Sequence, residues 1–231
     1  MNRWPIARYL LTTHYIFLII IMVGFYAACA VLLTVVALFT EIRISTVDVA
    51  GQVVCWLALG YGASSTTLLS TMLVHGRTRR EFLREYPVFL LITSVTLAAL
   101  TAGAYAAEAA VYSAFDWGQK MQDNRIFESA SDFPTVYVAY LSMLLIWLTT
   151  GAFLGAAFYR WQAGGVLAVP FAAVLVLTGG GFNGFFSLVP GLRTDTPDLA
   201  AILLVSLGLA AAAWAMLWYT ARDLPLRVRA A

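Results

Sequence analysis

Apolar residues fall into six runs, over 15–39, 49–74, 88–112, 135–158, 166–189 and 199–219, separated by short polar breaks. Each run is about 20 to 26 residues long, the length a helix needs to cross the hydrocarbon core of a bilayer. The strands of a membrane barrel would instead alternate polar and apolar residues over about ten positions. The breaks carry helix-start chemistry. Ser45-Thr46-Val47-Asp48 reads as a capping box before the second run, and Thr196-Pro197-Asp198 offers an N-cap, a first-position proline and a first-turn acid before the sixth. The expected fold is an all-α polytopic membrane protein with six transmembrane helices, and no repeat or linker divides residues 1–231 into more than one transmembrane domain.

Composition supports this and adds an orientation. Hydrophobic residues make up 61% of the chain and charged residues 11%, against roughly 45–50% and about 25% in a soluble domain. Arg3, Arg8, Arg77, Arg79, Arg80, Arg84, Arg160, Arg222, Arg227 and Arg229 lie in one set of inter-run segments. Only Arg43, Lys120, Arg125 and Arg193 lie in the other, so the positive-inside bias places both termini in the cytoplasm. Cys29 and Cys55 both sit within apolar runs and say little about redox compartment. The basic, apolar start resembles a signal peptide, but its run continues past Cys29 and exceeds the usual 7 to 15 residues. Residues 1–13, with Trp4, Ile6 and Tyr9 among Arg3 and Arg8, are expected to form an interfacial segment leading into span one.

Catalytic signatures are missing from the sequence. Lys120 is the only lysine and is followed by Met121, so the phosphate-binding motif G-x-x-x-x-G-K-[ST] does not occur. His14 and His75 are far apart and form no H-E-x-x-H pair, and no serine sits in a G-x-S-x-G elbow. The chain is therefore not expected to be an enzyme, to hold a metal or cofactor, or to bind nucleic acid. Glu108 is the one acid that interrupts an apolar run. It could serve as a proton or cation site, but its position roughly 30 Å along its span favours a carboxylate reaching outer water. The second run is the most polar: Gln52, Tyr61, Ser64 and Thr67 lie on more than one helix face and suit either helix packing or a transport path, and Asn183 belongs with them as a path candidate. Gly151-Ala-Phe-Leu-Gly155 and Gly180-Gly-Phe-Asn-Gly184 fit the small-residue packing pattern, and around 178–184 the fifth span either breaks or frays.

The segment 75–87 is the most informative. Thr78 is placed to N-cap a short amphipathic helix, Glu81 to complete its capping box, and Pro87 to open the next span. Phe82 and Tyr86 share one side at helical spacing, as do Arg80 and Arg84, so the segment is expected to show aromatic knobs and positive charge to the cytosol. A basic anchor on anionic headgroups is the competing reading.

At this point the sequence resembles the small permease subunits of ABC exporters of the second type. Their loop between spans two and three reads Gly, any residue, Ser or Thr, Arg, Arg or Lys, any residue, Phe, here Gly76-Arg77-Thr78-Arg79-Arg80-Glu81-Phe82. The basic link 159–165 and the tail near Arg222 and Arg227 are similar too. The resemblance implies that this loop is a coupling helix. Arg77, Thr78, Arg79, Arg80, Glu81, Phe82 and Tyr86 would contact a separate cytoplasmic ATPase that binds the ATP and magnesium, and a second permease, identical or homologous, would complete the path. It further implies a multi-pass protein of a bacterial inner or plasma membrane that exports a peptide, lipid or drug. The outer loop 113–134 is longer than such members lead one to expect. Two other functions compete: a proton-coupled transporter using Glu108, and a membrane scaffold without transport.

Overall fold

The computed structural model describes residues 4–39, 45–116, 121, 126–127, 129–185 and 198–224. All regular structure among them is helical, and five stretches are long and apolar enough to cross a membrane. The chain is thus an all-helical protein of multi-pass membrane character. Its helices are α1 (Pro5–Phe39), α2 (Thr46–Ala63), α3 (Ser65–Val74), α4 (Arg79–Ala114), α5 (Phe133–Trp161), a 3₁₀ segment (Gln162–Ala168), α6 (Val169–Phe182) and α7 (Leu199–Ala221).

Contacts between them set the topology. Tyr15 and Tyr26 of α1 share hydrogen bonds with Thr96 and Thr101 of α4, so these two helices run in parallel. The start of α2 lies against Glu108 near the end of α4, which makes α2 antiparallel to α4. Along α5, Tyr140 meets Gly51, and Gly151 and Gly155 meet Leu59 and Ala63, so α2 and α5 are parallel. After Trp161 the chain reverses at Gln162, whose φ is +52°. Gly165 then packs on Phe158, Gly179 on Ile146 and Phe185 on Tyr140, which lays the 3₁₀ segment and α6 back along α5. Arg160 at the end of α5 reaches carbonyls at the end of α7, so these two also run together. The start of α1 and the end of α7 therefore share one end of the bundle with the start of α4; every arginine among the described residues lies at this arginine end.

Helix α5 is the centre of the bundle. Tyr140, Met143, Leu144, Ile146, Trp147, Leu148 and Ala152 are all fully buried. Its glycines allow backbone contact: a Cβ at Gly151 or Gly155 would stand 2.1 Å from a carbonyl oxygen of α2, and one at Gly62 would stand 2.2 Å from the Leu148 carbonyl. The Gly151–Gly155 pair is thus spent on packing inside the chain, where close approach substitutes for the hydrophobic drive that lipid does not provide.

Several elements differ from the sequence expectation. Span two is two helices, because the chain bends at Ser64, where Gly60, Gly62 and consecutive serines weaken the helix and the Ser64 hydroxyl donates to the Tyr61 carbonyl. Span one has no separate interfacial helix before it: α1 is continuous from Pro5, and Ile6, Ala7 and Leu10 are buried. The cap before α7 is Asp198, whose carboxylate accepts from the Ala200 N–H, while Thr196 and Pro197 lie outside the described residues. The glycine run 179–181 stays helical. The helix ends just beyond it in a Schellman cap, with Gly184 at φ +68° and the N–H groups of Phe185 and Gly184 donating to the carbonyls of Gly180 and Gly181. Of the outer loop 113–134, most of 117–128 lies outside the described residues.

Candidate functional site

The short coupling helix expected between spans two and three is not separate. Thr78 and Glu81 form the complete capping box: the Thr78 hydroxyl accepts from the Glu81 N–H, and the Glu81 carboxylate accepts from the Thr78 N–H. The helix they start then runs 36 residues to Ala114 without interruption. Pro87 lies inside it rather than opening a new span, since a proline deletes only the hydrogen bond to the carbonyl four residues earlier while both flanks are held by packing. Phe82 and Tyr86 are buried, not exposed knobs; their rings stack at 4.8 Å beneath the arginines, and Phe89 continues the aromatic stripe. Arg77, Thr78, Arg80 and Arg84 remain exposed, and Arg79 and Glu81 are half-buried. The Arg84 guanidinium lies 6.0 Å from the Trp4 ring.

Two buried carboxylates on α4 then hold the ends of other helices. Near the arginine end Glu85, 2% exposed, accepts from the Ile6 and Ala7 N–H groups at 2.7 and 3.2 Å. Roughly 34 Å further along α4, by helical rise, Glu108 does the same for α2. It accepts from the N–H groups of Thr46 and Val47, at 2.5 and 3.2 Å, and from the hydroxyls of Ser45 and Thr46. The first N–H groups of a helix have no partner of their own and carry the positive end of its dipole, so a carboxylate there satisfies both needs. Arg160 supplies the mirror image, donating to the Tyr219 and Thr220 carbonyls at the negative end of α7. Glu108 is thus a buried cap, not a carboxylate reaching outer water.

Around Glu108 the far end of the bundle holds a polar cluster. Ser45 accepts from the Asp48 N–H as the capping reading requires, but the buried Asp48 carboxylate turns away from the helix start and accepts from the Tyr105 hydroxyl at 3.0 Å. Tyr105 and Tyr140 share a further hydrogen bond of 3.0 Å, with Phe127 and Phe185 packed edge-on against them. Beside this cluster a cavity of about 410 Å³ opens between α1, α2 and α4, with Glu108 in its wall.

The other path candidates are not brought together. Gln52 is half-buried on α2, whereas Ser64 and Thr67 are exposed at and beyond the bend. Tyr61 is half-buried between His14 and Phe89. Asn183 is buried at the end of α6 with its amide donating to the Gly179 carbonyl. Sequence reasoning passed over Glu85, Tyr105 and Tyr140, and it read Asp48 only as part of a helix cap and Arg160 only as cytoplasmic charge. A signal for Glu85 exists: it falls on the same helical stripe as Phe82 and Phe89, and a charge on a buried stripe is a functional mark in a membrane helix. Set against known proteins, the chain matches no family model, no curated protein and no solved structure.

Proposed function

We propose that the chain is the membrane-spanning permease subunit of an ATP-driven exporter, crossing the cell membrane six times with both termini in the cytoplasm. A separate ATPase docks on the exposed Arg77, Thr78, Arg80 and Arg84, and a second permease pairs with this one around the path of a hydrophobic or amphipathic substrate. The observation that carries the reading is the continuity of α4. A single rigid helix begins at the exposed arginines, is joined to α1 through Glu85, and is joined to α2 through Glu108 beside the cavity. A push at the arginine end then moves three helices together, and the buried Phe82–Tyr86 stack acts as the seat of the lever rather than as its contact surface.

In this reading Arg79, Phe82 and Tyr86 support the docking surface from below, and Glu108 is a structural cap rather than a coupling acid. The test is purification of the tagged chain from its own host in mild detergent beside an Arg77→Ala/Arg80→Ala variant, with mass spectrometry of the accompanying proteins. A P-loop ATPase that accompanies the native chain and is lost from an equally stable variant supports the proposal. Absence of any such ATPase from the native sample, even after gentle crosslinking, overturns it.

A further inference from the structure

We infer that the junction of α5, α6 and α7 is a binding site for a small monovalent cation, sodium, held by the hydroxyls of Ser142 and Ser206 and the side-chain oxygen of Asn183. These residues are 1%, 1% and 0% exposed, and none of the three oxygens has a hydrogen-bond partner among the described residues. Several buried hydroxyls of the bundle turn back on their own helix, as those of Ser94, Thr101, Thr149 and Thr220 do to the carbonyl four residues earlier. Ser142 and Ser206 do not. The Asn183 amide nitrogen donates to the Gly179 carbonyl at 2.9 Å. A carbonyl only accepts, so the unpaired atom of that side chain is its oxygen.

Helix register brings the three to one level. A Cβ placed at Gly179 of α6 would stand 2.5 Å from Ile146 Cδ1 of α5 and 3.6 Å from Leu209 Cδ1 of α7, so these positions lie side by side. Residues three or four apart stack on one helix face. One turn toward the far end of the bundle lie Ser142 on α5, Ser206 on α7 and, because α6 runs the other way, Asn183. Ser206 sits in the middle of the buried face of α7, with Ile202, Ala210 and Ala213. Ser142 precedes Arg160 by about five turns, on the face of α5 from which Arg160 reaches α7.

The level is also where α6 ends. That helix is 14 residues long and stops at Phe182. By helical rise, Ser142 lies roughly 14 Å inside the start of α5 and Ser206 roughly 10 Å inside the start of α7, so the C-terminus of α6 falls within the bundle. It carries the negative end of the helix dipole, and the broken helices of membrane transporters present such ends to monovalent ions. Buried oxygens without partners are costly, and one cation satisfies all three. The set holds no carboxylate, which suits a single charge, since calcium and magnesium sites are built on carboxylates. The inference goes beyond the exporter reading and needs no ATPase.

The test is thermal unfolding of the purified full chain in detergent, titrated with sodium chloride against choline chloride at constant ionic strength. Saturable stabilisation is expected, reaching about 5 to 10 °C once sodium exceeds its Kd about a hundredfold. Ser142→Ala and Ser206→Ala each remove one ligand and should raise the sodium midpoint about tenfold or more. In choline alone both should melt at or above the native temperature, because each deletes a buried hydroxyl that no described group pairs. Thr220→Val removes a buried hydroxyl already bonded to the Met216 carbonyl, and as the control it keeps the native sodium midpoint. Three results would each overturn the proposal: no sodium-dependent rise, alanine variants with the native midpoint, or alanine variants that melt well below the native chain in choline. The last would mean that the hydroxyls hold trapped water whether or not sodium is present.

Discussion

Replacing Glu108 tests whether one carboxylate holds the start of α2. Glu108→Ala removes the acceptor of two backbone N–H groups and two hydroxyls, all within a buried site. The hydroxyls of Ser45 and Thr46 can turn to nearby carbonyls, but the Thr46 and Val47 N–H groups cannot turn. Hydrogen bonds to a charged group contribute about 1.5–3 kcal/mol each, so the loss comes to about 3–5 kcal/mol after partial rearrangement. Glu108→Gln keeps one oxygen for the N–H groups and exchanges the other for an amide that can donate to Ser45, a cost of about 1–2 kcal/mol. At about 2–4 °C per kcal/mol for a chain of this size, Tm should fall by roughly 10 °C for alanine and about 4 °C for glutamine. Cys55, on α2 and 1% exposed, makes a suitable reporter: in a Cys29→Ser background, its reaction with a thiol-activated dye on heating in detergent follows the release of α2. An alanine variant melting within about 2 °C of the parent would refute the capping role, and equal falls for alanine and glutamine would show that charge rather than acceptor geometry is at work.

The other expectations follow from the same packing. Gly151→Leu and Gly155→Leu should each force α2 from α5, since even a Cβ would stand 2.1 Å from a carbonyl oxygen, and should cost about 1–3 kcal/mol or more, read as a lower Tm. Glu85→Ala should release the first turn of α1 while leaving α2 in place. Hydrogen exchange should therefore rise at Ile6 and Ala7 with Cys55 still protected, and unchanged exchange there would count against the cap. Arg160→Ala should loosen the end of α7 by about 1–2 kcal/mol, with exchange rising near Thr220 and little change in α1. If both described ends lie in the cytoplasm, single cysteines at Arg8 and Arg222 should react with a membrane-impermeant maleimide only in inverted vesicles, and labelling of either in intact cells would reverse the orientation.

How much of this could be read in advance divides along the range of the interactions. Apolar runs of membrane length and the hydroxyl caps at Ser45 and Thr78 were legible because each depends on residues within a turn or two, but the reciprocal half of the box forms only at Thr78, with Glu81, while Asp48 accepts from the distant Tyr105. Phe82 and Tyr86 were correctly placed on one side of a helix, yet their burial was not legible, because periodicity tells which residues share a face and not what that face meets. The interruption at Ser64 left its mark in glycine and serine content, but continued packing carries α4 through Pro87 despite a stronger breaker.

The buried charges show the boundary most clearly. Glu85 serves N–H groups 78 and 79 positions away in the chain, and Glu108 serves groups 61 to 63 positions away. An acid in a membrane run states only that some compensation must exist, since a lone carboxylate in hydrocarbon is too costly to persist. Whether that partner is water, a cation, a proton or the open end of another helix depends on which segments lie side by side. Here the parallel pairing of α1 with α4 and the antiparallel pairing of α2 with α4 bring a helix start to each acid, and the alanines between them leave the cavity. Composition and pattern pointed to a helical chain with membrane-length apolar runs; the pairing of the helices decided what their charges do.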